Sequence, residues 1–580
     1  MLRFIRWSLV AVLASGLAAP ALTAVPNFTT GADPAVKFGV HEVVLAGGAA
    51  GEGELNPFDL DVTVRFTPPA GGGRAKTVTA FFDGDGTWRA RVYVDEPGEW
   101  RWVSRCSDRA ALDGRAGVFR AGDSRLRGRL LVHPGNPRQW MTEDGRWFLN
   151  LNDTAYCLLG AYAADGSVVS EGDFRAYVRD AVEHGITSFR SFPFIGPGGY
   201  LEDSRGPRSR WRDGIFADDA RAGLQLPHFR VADERLRWLL DEFPEVYLQF
   251  VLFPRGAPYA QDDRMWVTFT AEQKARIMRY VIARYAAFPQ LFWLVTNDAH
   301  YGAKHPNNNT FAREVGEFFL RHDPWRHPMS AGHARRIPYV FGDEPWSTYI
   351  HLEDNFAVGA QPYERYHGHA KPVFLGEDRY EQDHPLDRDP RDMRYFQRRL
   401  FWAWLLSGGS TNYGGRWWAV HPYRQTGTRP AAKPVTGGGE AASRSFVHTA
   451  ALTGLDSVAA IRNYFATRRI ELSEFEPAHT LARDPEGATG QGAPRLMRCG
   501  QREFLIYLPN ATSDDREMKS NPARAPQVSV DLGGAEGTFR VEWFRALDGV
   551  AQDGGTVNGG GMRVLRSPWR GEDCVVRIWR

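Results

Sequence analysis

The stretch LFWLVTNDAHYG, Leu291 to Gly302, decides how the middle of the chain is read. Leu291 to Val295 is apolar without polar alternation, the pattern of a strand buried on both faces, as in a parallel sheet covered by helices. The run then ends in Asn297-Asp298, an amide and a carboxylate. Ligands bind at the carboxyl ends of such strands, so a polar pair there is a candidate site rather than a loose end.

Seven further strands of this kind lie around it. They are FLNLNDT (148–154), ITSFRSF (186–192), EVYLQFVLF (245–253), PMSAGH (328–333), STYIHL (347–352), PVFLGED (372–378) and GGSTNYGG (408–415). Helical stretches separate most of them. DFRAYVRDAVEHG places Phe174, Tyr177, Val178, Ala181 and Val182 on one face, with Gly185 at the position of a C′ glycine. Thr270-x-x-Gln273 is a capping box before a stripe of Ile277, Tyr280 and Val281. A last helix is expected near 445–465. Eight strand–helix units predict a (β/α)8 TIM barrel over 131–476. An open doubly wound sheet is the rival, weakened because no strand is followed by a GxGxxG turn.

The flanks have a different period. WRARVYV (88–94) alternates, with Trp88, Ala90, Val92 and Val94 on one face, and EWRWV repeats the pattern with Trp100 and Trp102. Turn signals at NPFD (56–59), DGDG (83–86) and EPGE (96–99) separate the strands, so 25–130 reads as an antiparallel β-sandwich. REFLIYLP, QVSVDLGG, FRVEWF and CVVRIW predict a second sandwich over 477–580. The whole is a multidomain chain, a TIM barrel flanked by N-terminal and C-terminal β-sandwich domains. GTRPAAKPVTGGGE (427–440) reads as a loop over the barrel mouth.

Bulk properties narrow the functional classes. The chain has 580 residues, 43% of them hydrophobic and 24% charged, as in folded domains. A net charge of +2 gives no electrostatic footprint for nucleic acid. The 19 Trp, 20 Tyr and 35 Phe suit either plain core packing or surfaces on which sugar rings stack. Arg3 and Arg6 precede an apolar run from Trp7 to Leu13, and small residues lead to cleavage positions after Ala21 or Ala24. Residues 1–24 thus read as a secretory signal peptide, with an uncleaved anchor as the alternative. The mature protein is expected to be secreted or periplasmic, without a membrane span. Of the four cysteines, only Cys499 and Cys574 share a domain, and they are read either as a disulfide or as buried free thiols. No metal-ligand spacing is present, and neither metal nor cofactor is expected.

Strand ends supply the candidate chemistry. They carry Asn152-Asp153, Arg190, Asn297-Asp298, His333, His351, Glu377-Asp378 and Asn412-Tyr413, with Trp417 and Trp418 just beyond. Asp298 on the fourth strand and Glu377 on the seventh face each other across a barrel mouth. Glycoside hydrolysis needs such a pair, about 5–5.5 Å apart for retention and roughly 6.5–9.5 Å apart for inversion. Asn297 is placed to hold a sugar hydroxyl, and Arg190 to keep Glu377 ionised. The plainer readings are a helix cap for Asp298, a salt-bridged turn with Arg379 for Glu377-Asp378, and hydrogen-bonded wall residues for the two histidines.

ARYAAFP followed by LFWLVTND, with KPVFLGEDRYE and FWAWLLSGGSTNYGG, resembles the apiosidase-like glycoside hydrolases, within the larger clan of retaining TIM-barrel glycosidases. GRWFLNLNDTAYCLLG is similar to that family's first-strand segment. The N-terminal sandwich resembles a small domain of unknown function found before such barrels. The C-terminal one resembles a sandwich sometimes labelled collagen-binding, a label discounted here in favour of a structural role. The resemblance implies Asp298 as general acid/base and Glu377 as nucleophile. It implies a substrate-holding role for Asp153, Arg190, Asn297 and Tyr413, and His333, His351 and Trp417 complete the expected substrate-binding set. The larger clan has Asn-Glu on the fourth strand. Asn-Asp here is one methylene, about an ångström, shorter.

The resulting expectation is an exported glycoside hydrolase acting on plant or microbial polysaccharide or oligosaccharide by a two-carboxylate retaining mechanism. The alternative is a carbohydrate-binding protein on a silent barrel. A metallohydrolase using His333, His351 and Asp153 lacks ligand spacing. The sugar, exo or endo action and oligomeric state are not legible in the sequence.

Overall fold

Eight short strands run parallel in one sheet: β1 (Leu151–Thr154), β2 (Ser188–Ser191), β3 (Tyr247–Phe253), β4 (Leu291–Thr296), β5 (Met329–Ser330), β6 (Ile350–Glu353), β7 (Val373–Glu377) and β8 (Ser410–Tyr413). Their order is β5-β4-β3-β2-β1-β8-β7-β6. The two ends of this order are joined by Thr348 N–H donating to Met329 O at 2.8 Å and His351 N–H donating to Ser330 Oγ at 3.2 Å. The sheet is thus a nearly closed barrel, the TIM-barrel architecture expected from the strand pattern. The computed structural model describes residues 26–48, 55–163, 166–195, 223–253, 270–334, 337–353, 365–377, 390–415, 420, 454–510 and 520–580.

Every residue of β4 is buried, because the barrel interior covers one face and the helix layer the other. The helices are α1 (Glu171–Glu183), α2 (Leu226–Glu242), α3 (Ala271–Tyr285), α4 (Pro306–His322), α5 (Pro390–Leu405) and α6 (Val458–Arg468). Ser170 caps α1 by accepting from Asp173 N–H, and Gly185 follows at φ +95°. The Thr270–Gln273 capping box opens α3. The helix expected near 445–465 is α6, preceded by a 3-10 turn at Gly454–Ser457, and residues 421–453 lie outside those described.

The N-terminal strands form a four-stranded and a five-stranded sheet. Most pairings are antiparallel, as expected, but Phe28–Thr30 runs parallel to Val40–Ala46, and Ala35–Val36 parallel to Ala116–Gly122. The C-terminal strands form a six-stranded and a three-stranded antiparallel sheet. One apolar core runs through all three regions. It includes Trp88 of the first, Trp293 of the barrel and Phe544 of the last. Trp88, Trp100, Trp293, Trp346, Trp402 and Trp404 are all fully buried, so most of the aromatic excess is packing rather than an exposed sugar platform. All four cysteines are buried free thiols, and burial pushes the Cys574 thiol up to about 12. Among the described residues, no helix is long and apolar enough to cross a membrane.

Candidate active site

The mouth of the barrel is built where β2, β4, β6 and β7 end. Strand periodicity sets which side chains enter it, because alternate residues face the interior and the helix layer. Arg190 of β2 enters and is fully buried. Glu353 enters from the last position of β6. Glu377 enters only because the ladder is irregular. Leu352 pairs with Leu375, but Glu353 pairs with Glu377, so Gly376 is an extra residue on β7. This β-bulge turns Glu377 to the same side as Glu353. Gly376 has no side chain for a close-range reason: a Cβ there would sit 1.9 Å from Cε1 of His351.

Asp298 follows β4 in the left-handed region, at φ +51°, a conformation that Asp tolerates better than most residues. The next residue, Ala299, bridges to His333, which anchors the turn. One carboxylate oxygen from each of Asp298, Glu353 and Glu377 lies within 4.8 Å of the other two.

Arg190 ties this group together. Its Nη1 donates to Glu377 Oε2 at 2.7 Å and to the Gly376 carbonyl at 3.1 Å, and its Nη2 donates to Glu353 Oε1 at 2.9 Å. Thr154 Oγ1 donates to the same Gly376 carbonyl, and Asn412 Nδ2 donates to Thr154 Oγ1, so β1 and β8 support the bulge. Gln249 Nε2 donates to His351 Nδ1 at 3.1 Å. The other ring nitrogen, Nε2, therefore carries the hydrogen and donates to Glu353 Oε1 at 3.3 Å. Burial and the Arg190 charge hold His351 well below its usual range, so it is neutral. Burial, followed by the charge of Glu377, raises Glu353 to about 7. Among the described residues, the three carboxylates are the group close enough to share a metal ion, but the Arg190 guanidinium already supplies a positive charge to two of them.

The expected site residues divide accordingly. Asp298, Glu377 and Arg190 come together. Asn297 is buried beside Asp298, with Oδ1 meeting no protein donor. Asp153 does not face the mouth. Its Oδ2 accepts from Tyr177 of α1 at 2.7 Å, behind the sheet. Tyr413 pairs in register with Asp153 and so falls on the same helix-facing side, whereas Asn412 pairs with the inward Asn152. The substrate-holding role expected of Asp153 and Tyr413 is therefore corrected, since a strand end points both ways. His333 is a wall residue. Val340 N–H donates to its Nε2, its Nδ1 bonds the Ala331 carbonyl, and Tyr301 and Tyr339 pack on its ring. Burial lowers it to about 3. His351 likewise has both nitrogens engaged and supports Glu353. Trp417, Asp378 and the 427–440 loop lie outside the described residues. Glu353 was not anticipated. It lies one residue beyond STYIHL, at a strand end of the same kind, in HLED.

Residues 235–469 match the model of the apiosidase-like catalytic domain, and residues 35–107 match the domain of unknown function DUF5060. The first match covers Asp298, Glu353 and Glu377. No curated protein matches the sequence. Among solved structures, the chain is similar to a putative glycoside hydrolase from Bacteroides vulgatus ATCC 8482, with 17% identity, a TM-score of 0.67, and coverage of 95% of this chain and 99% of that one. A glycoside hydrolase family 5 protein from the same organism is similar at 15% identity and TM-score 0.55, over 78% of this chain and 93% of that one. A further glycoside hydrolase matches at 15% identity and TM-score 0.54, over 78% of this chain and 97% of that one. At these identities the structures share the fold, and the family models find in this chain a segment similar to the apiosidase-like catalytic domain behind one similar to DUF5060.

Proposed function

We propose that the protein cleaves glycosidic bonds in plant or microbial polysaccharide or oligosaccharide by a retaining mechanism, with Glu377 as nucleophile and Asp298 as general acid/base. The observation that carries this reading is the approach of their carboxylate oxygens to within 4.8 Å. So close an approach falls on the side of the retaining arrangement, about 5–5.5 Å, rather than the roughly 6.5–9.5 Å of an inverting pair, and suits direct attack on the anomeric carbon. Glu377 bonds that carbon while Asp298 gives its proton to the departing oxygen. Asp298 then takes a proton from water, which displaces Glu377 and restores both groups. Arg190 fixes the attacking carboxylate by the 2.7 Å bond to Oε2.

The family description makes apiose one candidate sugar within this class. A panel of aryl glycosides and plant and microbial polysaccharides tests the reading, with the first-formed anomer followed by NMR. Asp298→Asn should lower activity by about 10²–10⁴-fold and Glu377→Gln by a similar factor or more, with glycan binding preserved. Wild-type protein that binds glycans from the panel but releases no sugar would instead indicate a binding protein on a silent barrel. An inverted product would remove Glu377 from the role of nucleophile.

A further inference from the structure

A third carboxyl group in the mouth has no part in that two-carboxylate scheme. Glu353 is fully buried, and its surroundings are specific. Oε1 accepts from Arg190 Nη2 at 2.9 Å and from His351 Nε2 at 3.3 Å. Among the described residues, Oε2 meets no protein donor. Glu353 also neighbours another acid: one oxygen of each lies within 4.8 Å, and the Asp298 side chain is within hydrogen-bonding reach of Glu353. Two carboxyl groups hydrogen-bond only when one of them carries a proton. The backbone leaves Glu353 little room to withdraw, since a Cβ on Gly332 would sit 3.0 Å from Oε1.

We infer that Glu353 is a positioning residue of the reaction, holding one proton jointly with Asp298 so that the pair, rather than Asp298 alone, forms the acid that protonates the leaving oxygen. The inference rests on the assignment of Asp298 as general acid/base. Among the described residues, the groups facing Glu353 are Asp298 after β4, Glu377 on β7, Arg190 on β2, His351 on β6 itself and Tyr301 beyond β4. His351 is neutral and burial keeps the Tyr301 hydroxyl protonated, so among the described residues Arg190 is the one cation set against three carboxyls. One cation does not balance three ionised neighbours in a buried site, and a retained proton relieves the excess.

The chemistry balances. Asp298 Oδ passes the proton to the glycosidic oxygen as the carbon–oxygen bond breaks and the Glu377 ester forms. Two adjacent carboxylates remain, and their repulsion makes Asp298 a stronger base for the water that cleaves the ester. The water proton then restores the shared state. An ordinary Asp titrates near 3.9 and is a poor acid at neutral pH, whereas a pair sharing one proton loses it at higher pH.

Glu353→Gln keeps the length and an acceptor oxygen for Arg190 but removes the charge. The basic limb of kcat/KM should move to lower pH by about one unit or more, with at least tenfold lower activity at pH 7 and convergence with wild type on the acid side. An unmoved limb, or an equal loss at every pH in a folded variant, overturns the inference. A second measurement needs no substrate. In infrared difference spectra, wild type should show a protonated carboxyl group titrating near neutrality that is absent from Glu353→Gln and displaced in Asp298→Asn. If that band titrates while wild type cleaves no glycoside, the shared proton stands and the glycosidase reading falls. If no such band exists, the shared proton is overturned whatever the protein cleaves.

Discussion

Arg190 is the residue on which the mouth is centred. Its two terminal nitrogens reach different carboxylates, Nη1 to Glu377 and Nη2 to Glu353, and Nη1 also takes the Gly376 carbonyl. A lysine keeps the charge but has one nitrogen at the end of a flexible stem, and it cannot reproduce a planar fork. Arg190→Lys is expected to lower kcat/KM on the order of 10²-fold, mainly through kcat, because what it loses is the fixed aim of two groups rather than affinity for sugar. Steady-state kinetics check this, and an unchanged kcat with a raised KM would assign Arg190 to binding instead. The same residue shows what single positions in the sequence reveal. Arg190, Asp298 and Glu377 stand at strand ends and were found by reading those ends. Asp153 and Tyr413 stand there too, yet they face the helices. A strand end contributes residues of both parities, and the pairing register that separates them is a property of the assembled sheet.

Between β6 and β7 the decisive feature belongs to the pair of strands. Counting from Phe374, whose ring meets that of His351 at 5.5 Å between centroids, strict alternation would turn Gly376 to the interior and Glu377 away from it. The bulge reverses this by pairing Glu353 with Glu377. No apolar pattern announces such an irregularity, so the strand was legible in VFLGE but the aim of its last residue was not. The one local trace is Gly376, whose missing side chain makes room for His351. Gly376→Ala would press a methyl group into the fully buried imidazole. Either the ring leaves Glu353 or the strands part. The expected cost is about 1–3 kcal/mol in denaturant unfolding, with activity falling further than stability because the carboxylates lose their alignment. A variant that unfolds like wild type and retains full activity would show that the bulge tolerates a side chain and does not govern the site.

At the scale of the whole molecule, the barrel is held to the N-terminal sheets by buried charge. Asp233 of α2 accepts from Arg91 of the N-terminal region through both oxygens, at 2.9 and 2.7 Å, and from Arg284 of α3 at 2.7 Å. Arg91 also donates to Glu42 and Arg284 to Asp83, so five buried residues from both regions share one network, which Arg89, Arg230 and Arg237 extend to the surface. This arrangement is not legible in the sequence, where the alternation of WRARVYV puts Arg91 on the face opposite Trp88, Ala90 and Val92 and says nothing of what covers it. At Arg91 that face is covered by the barrel helices, and a buried arginine looks like a surface one until its partner carboxylates are in place. The neighbouring Arg91 and Arg284 charges hold Asp233 down at about 2 against the penalty of burial, and Glu42 and Asp83 are lowered by their own arginines. For a carboxylate depressed in the folded state, the stabilisation is fully present above its unfolded value near 3.9 and is lost as pH falls through about 2. Stability should therefore fall steeply between about pH 4 and pH 2. Asp233→Asn leaves two buried guanidinium groups short of an anion and should cost about 3–5 kcal/mol at neutral pH while flattening the acid limb. Urea unfolding at a series of pH values reads both effects. If the variant matches wild type at pH 7, the network is an ornament of the interface and the shared apolar core alone joins the two regions. If it is weaker at pH 7 and converges on wild type near pH 2, the ion network is what makes the N-terminal sheets and the barrel unfold together.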